Sequence, residues 1–119
     1  ECLRRLARIC AEAASGEDDM AARYGGDELA LILPGRDEAE AMRLAERLCR
    51  RVEEAAMAHP VSVVAPWVTV SIGVNVAAPG QARTAARLLP GADRALYAAK
   101  SQGRNRVAAA MPVNIDARF

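Results

Sequence analysis

Residues 67–76, Trp-Val-Thr-Val-Ser-Ile-Gly-Val-Asn-Val, constrain the fold of this chain more than any other segment. In an extended strand Val68, Val70, Ile72, Val74 and Val76 share one face, while Thr69, Ser71, Gly73 and Asn75 share the other. Such a β-branched row belongs in a sheet with helices packed on it. Helical spacing is found on both sides. Leu3, Leu6, Ala7, Cys10, Ala13 and Ala14 recur at three- and four-residue steps, an amphipathic helix already running at the first residue. Asp37 is placed to cap a long helix reaching about Ala58, whose buried stripe is Ala41, Leu44, Ala45, Leu48, Cys49, Val52 and Ala56. Arg43, Glu46, Arg47, Arg50 and Glu53 take its wet side.

The remaining elements are shorter. Residues 20–24 and 29–33 read as strands joined through Gly25-Gly26, a pair suited to the positive φ of a tight hairpin. Residues 60–66 form a loop with room for a short strand at 61–64. Thr84 caps a helical turn ending near Leu89, and Pro90 opens a new helix, because proline is tolerated at a first helical position. Ala92, Ala95, Leu96 and Ala99 are the buried side of that helix. Gly103 gives it a left-handed exit, and residues 106–110 form a last strand. Helix, hairpin, helix, strand, helix and short strand make an α+β sandwich with one mixed sheet. Against a βαββαβ ferredoxin-like plan, the opening strand is missing.

Composition removes several functions. With 119 residues, 52% of them apolar, the chain is one domain. Sixteen basic against fifteen acidic side chains give a net charge of +1, which argues against a nucleic-acid arm or a polybasic membrane patch. Aromatic platforms for single-stranded nucleic acid are lacking too, with only Trp67, Tyr24, Tyr97 and Phe119 present. Cys2, Cys10 and Cys49 have no C-x-x-C spacing, so they read as buried small hydrophobes and not as a disulfide or zinc framework. His59, before Pro60, has a loop or capping role. No run is apolar for long enough to span a bilayer and no signal peptide is seen, so the expected location is cytoplasmic, without a direct membrane segment.

Two constellations carry chemistry. Arg23-Tyr24-Gly25-Gly26-Asp27-Glu28-Leu29 sets two adjacent carboxylates beside a glycine tip that a ligand can approach closely. Magnesium suits such a place, since it takes a few carboxylate oxygens and completes its shell with water and phosphate. A solvated acidic turn is the plainer alternative. In the second constellation Lys100, the only lysine, occupies a last helical turn and Arg104 follows the glycine exit, so two cations converge on one anion. There the alternative is simple complementarity between cations and a helix C-terminus.

Together these blocks resemble the signature motifs of the GGDEF family, the diguanylate cyclases. Gly25-Gly26-Asp27-Glu28-Leu29 is similar to the name-giving motif, with Leu29 for its final Phe. Residues 68–74 resemble the family's strand before its last helix, and residues 92–107 resemble its C-terminal block. The resemblance covers residues 1–110, with residues 111–119 as a tail. It implies a nucleotide-cyclase-like fold and a bacterial nucleotidyltransferase. That enzyme condenses two GTP into cyclic di-GMP and pyrophosphate with Mg (or Mn), as a homodimer downstream of a sensor domain. It further implies that Asp27 ligates the metal and Glu28 lies at the metal or the attacking hydroxyl. Gly25 and Gly26 leave room for the nucleotide, and Lys100 and Arg104 hold its terminal phosphates.

The resemblance also has gaps. The family's N-terminal third, with its first strand, one metal-binding aspartate and its guanine-reading side chains, has no counterpart here. The 119-residue chain itself is therefore expected to be inactive, a fragment of an active parent. The rivals are a degenerate, non-catalytic module that receives a nucleotide or dimerises, and an unrelated ferredoxin-like binding module. The family's inhibitory product site, R-x-x-D, is degenerate: Asp19 is kept, but Gly16 replaces the arginine, so no product inhibition through it is expected.

Overall fold

Asp37 opens the helix on which most of the molecule packs. Its carboxylate accepts from the Glu40 amide (2.8 Å), and the Glu40 carboxylate accepts from the Asp37 amide (3.0 Å). This reciprocal box satisfies two amides left over at a helix start and contributes about 1 kcal/mol. The computed structural model describes residues 2–25, 28–57, 68–77 and 84–110. Its elements in chain order are α1 (Cys2–Ala13), β1 (Met20–Gly25), β2 (Glu28–Ile32), α2 (Glu38–Glu54), β3 (Ile72–Val74), α3 (Ala85–Ser101) and β4 (Val107–Ala109). That is the α+β order expected from the sequence. The expected strand at 61–64, together with Trp67, His59 and the tail, lies outside the described residues.

The core follows the helical stripe. Ala41, Ala45, Leu48, Cys49 and Val52 are buried on α2, at the spacing that puts side chains on one face. Leu48, Val52, Cys10 of α1 and Met57 form its centre, with Leu6, Ile9, Leu29, Leu31, Val70 and Ile72 packed round them. Burying a side chain such as Leu48 contributes about 2 kcal/mol. Cys10 and Cys49 are buried as expected, and burial pushes both up from their ordinary pKa. One expectation fails at the end of α2, which stops at Glu54 and not near Ala58. Ala56 turns left-handed there (φ 50°), which leaves Ala56 exposed and sends Met57 inward at 3% exposure.

The strands pair in both senses, as a mixed sheet requires. Among the described residues they do so as two ribbons: β1 with β2 antiparallel, and β3 with β4 parallel. The long strand expected over residues 67–76 is assigned only at Ile72–Val74, because β4 offers just three residues to pair with. Its alternation is nevertheless real. Val68, Val70 and Ile72 pack on the core, whereas Gly73 and Asn75 meet α3.

α3 is continuous through Pro90 and does not restart there, contrary to the sequence expectation. Proline inside a helix removes a hydrogen bond and costs about 3 kcal/mol. Two contacts brace the same stretch of the helix. The Thr84 hydroxyl accepts from the Arg87 amide (3.3 Å) as an N-cap, and Asn75 Nδ2 donates to the Leu88 carbonyl (2.9 Å) beside the proline.

Candidate functional site

At the hairpin, Glu28 is the first residue of β2 and is half-buried opposite Gly25. The register slips between Arg23 and Gly25, a bulge of the kind that re-aims a strand as it enters a turn. Gly26 and Asp27 lie outside the described residues. Of the two expected carboxylates, then, only Glu28 is placed. Among the described residues no three His, Cys, Asp or Glu side chains cluster as a metal site. The donor chemistry still fits a small hard cation, since Glu28 and its sequence neighbour Asp27 offer carboxylate oxygens and leave the rest of a shell to water and phosphate.

The second group lies at the other end of the chain. Lys100 is exposed in the last turn of α3. Gln102 caps the helix in the right-handed region, and Gly103 follows at φ 127°. Gly103 is thus the positive-φ exit expected there, and two residues that carry side chains continue at positive φ, Arg104 (φ 65°) and Asn105 (φ 49°). Such conformations persist only where the surroundings enforce them. The Arg104 amide donates to the Ala99 carbonyl (3.0 Å), holding exposed Arg104 to the turn that carries Lys100. Among the described residues, neither cation takes part in an ion pair. The structure thus ties the backbone of Arg104 to the last turn of α3, at the residue before Lys100. It shows no hydrogen bond or ion pair between them and Glu28 among those residues.

Asn105 was not singled out by the sequence. Its amide donates to Ser71 Oγ (3.2 Å), its Nδ2 donates to Glu53 Oε2 (3.0 Å), and its Oδ1 accepts from Cys49 Sγ (3.4 Å). The partners are 34, 52 and 56 residues away, beyond the reach of any local pattern. A cleft of about 270 Å³ runs past this residue, lined by Glu46, Arg50, Glu53 and Arg106 among others.

Asp19 also has a partner that sequence spacing did not reveal. Arg36 donates through both terminal nitrogens, Nη1 to Oδ1 and Nη2 to Oδ2 (2.7 Å), and the Gly16 amide adds a third bond to Oδ2 (2.7 Å). The Asp19 side chain is 2% exposed. A Cβ at Gly16 would lie 2.7 Å from Asp19 Oδ2, so no side chain fits at that position without moving the carboxylate. The Arg36 hydrogen bonds, above all, hold the Asp19 carboxyl below its ordinary pKa. A depressed carboxyl stabilises the fold above its unfolded pKa, and that contribution is lost as pH falls through the lower folded value. Arg36→Ala is therefore expected to flatten the acid limb of stability below about pH 4, as read by urea unfolding at successive pH values. An acid limb identical to that of the unaltered chain would show that the pair contributes nothing there.

Comparisons with known proteins identify the family and the fold. A family model described as "Diguanylate cyclase, GGDEF domain" matches residues 1–106. The bifunctional diguanylate cyclase/cyclic di-GMP phosphodiesterase MucR of Pseudomonas aeruginosa is 39% identical over 88 residues, which is 73% of this chain and 12% of that protein. The response regulator PleD of Caulobacter vibrioides is 41% identical over 91 residues, 75% of this chain and 19% of that protein. This chain thus spans under a fifth of either relative. Among solved structures, the GGDEF domain of DgcB from Caulobacter crescentus in complex with c-di-GMP superposes with a TM-score of 0.76 at 32% identity. That match covers 92% of this chain and 63% of the other. The active GGEEF domain of a diguanylate cyclase from Vibrio cholerae also gives 0.76, at 28% identity, over 94% of this chain and 68% of that one.

Proposed function

Because the chain belongs to the GGDEF domain family of diguanylate cyclases, we propose that it is the part of a cyclase domain that grips magnesium and the triphosphate of GTP. The reaction is nucleotidyl transfer. A 3′-hydroxyl oxygen of one GTP bonds to the α-phosphorus of the other, the bond to the β-phosphate breaks, and pyrophosphate leaves. A second, reciprocal step closes cyclic di-GMP. Two such domains face each other, one GTP in each, and an upstream sensor domain controls their meeting. The supply of GTP places the reaction on the cytoplasmic side.

Each side chain has a separate task. Asp27 and Glu28 hold the metal, with Glu28 also in reach of the attacking hydroxyl, and the missing side chains of Gly25 and Gly26 leave space for the nucleotide. When bound, the metal neutralises phosphoryl oxygens and helps align attack and departure. Lys100 holds a terminal phosphate as a point charge, and Arg104 does so as a planar fork. What supports this most is that exposed Lys100 lies in the last turn of α3 while exposed Arg104, at positive φ, is bonded through its amide to the same turn.

Calorimetric titration of the purified 119 residues tests the reading. GTP with magnesium is expected to bind weakly through its phosphates, with ATP within about threefold, since a base is discriminated strongly only by side chains that hydrogen-bond it. Cyclic di-GMP formation by these residues alone is not expected. Absence of any binding would remove the phosphate assignment; turnover would show that the chain holds a complete catalytic set.

A further inference from the structure

The residue after Arg104 is held from three sides. Asn105 sits at φ 49°, a region that asparagine enters more readily than other residues with side chains. Its amide oxygen and nitrogen have distinct partners. The oxygen faces the Cys49 thiol, whose single proton is shared with the Val70 carbonyl (3.5 Å), and the nitrogen faces a carboxylate that can only accept. Cys49 and Glu53, four residues apart, are one turn apart on α2. Ser71 belongs to the segment entering β3. On the far side, the Arg106 carbonyl accepts from the Ile72 amide (3.0 Å), and β4 begins at the next residue.

We infer that Asn105 is a positioning residue, which fixes Arg104 beside Lys100 so that both cations meet a single anion, the phosphates of a nucleotide. The inference rests on the phosphate role proposed above for Lys100 and Arg104. Its physical basis is the backbone. Among the described residues the Arg104 side chain makes no hydrogen bond or ion pair; its backbone is held by its amide bond to Ala99 (3.0 Å) and by Arg106 Nε on its carbonyl (3.1 Å). The neighbour adds a further restraint: the side-chain amide of Asn105 is held on α2 by Cys49 and Glu53, and its backbone amide by Ser71.

Titration of GTP and magnesium against variants of the chain tests this. Asn105→Asp sets a carboxylate against Glu53 and is expected to weaken binding about tenfold. Adding Glu53→Gln restores the hydrogen bond with its direction reversed, and affinity should return to within about threefold of the starting value. In an Arg104→Ala background, Asn105→Asp should have no further effect, because a residue acting through Arg104 loses its influence with it. Unchanged affinity in Asn105→Asp, failure of the rescue, or an equal loss in the Arg104→Ala background each overturns the inference; the last would mark Asn105 as only structural. If Arg104→Ala itself leaves binding unchanged, the phosphate reading fails and takes the inference with it. Should Asn105→Asp not fold by circular dichroism, Glu53→Ala carries the test, since that carboxylate is exposed. It is expected to weaken binding about threefold with Arg104 present and not at all without it.

Discussion

Removing both cations at the end of α3, as Lys100→Ala with Arg104→Ala, is expected to weaken magnesium–GTP binding about a hundredfold. Each charge-assisted contact to phosphate contributes about 1.5–3 kcal/mol when its partner is ionised, and two such contacts compound. The single changes should cost about tenfold each. Arg104→Lys should not restore the loss, because an ammonium cannot offer the two parallel N–H groups of the fork. Salt dependence gives an independent reading: exposed charges are screened within about 10 Å at 0.1 M salt, so the unaltered chain should weaken with salt while the double variant stays nearly flat. A double variant that binds within threefold of the original would return the two cations to mere helix-end complementarity.

The largest expected loss of stability is at Gly73. A Cβ there would run into the Ala92 carbonyl oxygen and the Leu96 amide nitrogen, with Leu96 Cα at 2.9 Å. These are backbone atoms of α3, so no side chain can turn aside. Gly73→Ala must lift α3 from β3 or break the pairing of β3 with β4. Overpacking of that kind costs about 3 kcal/mol, at the upper end of its usual range, and should lower the Tm by about 15 °C in a domain of this size. Gly91 makes a useful contrast. A Cβ at Gly91 meets the side-chain amide of Asn75, which can swing away and give up its bond to Leu88, so Gly91→Ala should cost only about 1 kcal/mol. Thermal melts that rank the two variants in the opposite order would contradict the contact between β3 and α3.

Periodic features of the fold were readable from the sequence. The stripe on α2, the hairpin across the glycine pair and the two-faced row at residues 68–76 all repeat locally, and local repeats survive folding. Departures came where one residue answered to a distant one. Ala56 leaves its stripe so that Met57 can enter the core. Pro90 stays inside a helix that Asn75 helps to hold. At the proposed site, Glu28, Lys100 and Arg104 were visible as motif residues, because chemistry concentrates unusual residue types. The Asn105 clamp and the bond from Arg36 to Asp19 were not visible, because each joins polar residues of common type across long stretches of chain. Only the folded backbone identifies such partners.

Pro90 has one more consequence. Proline brings no N–H, so the ladder of α3 lacks the rung between Ala86 and residue 90. The opening turn is thereby isolated from the stretch that carries Ala95, Ala99 and Lys100. Amide protons of the first turn should exchange with deuterated solvent well ahead of those after Ala92, so that α3 frays at one end while the other stays locked. The continuous rod is two units in its breathing, and the quiet half is the one that ends in the cations.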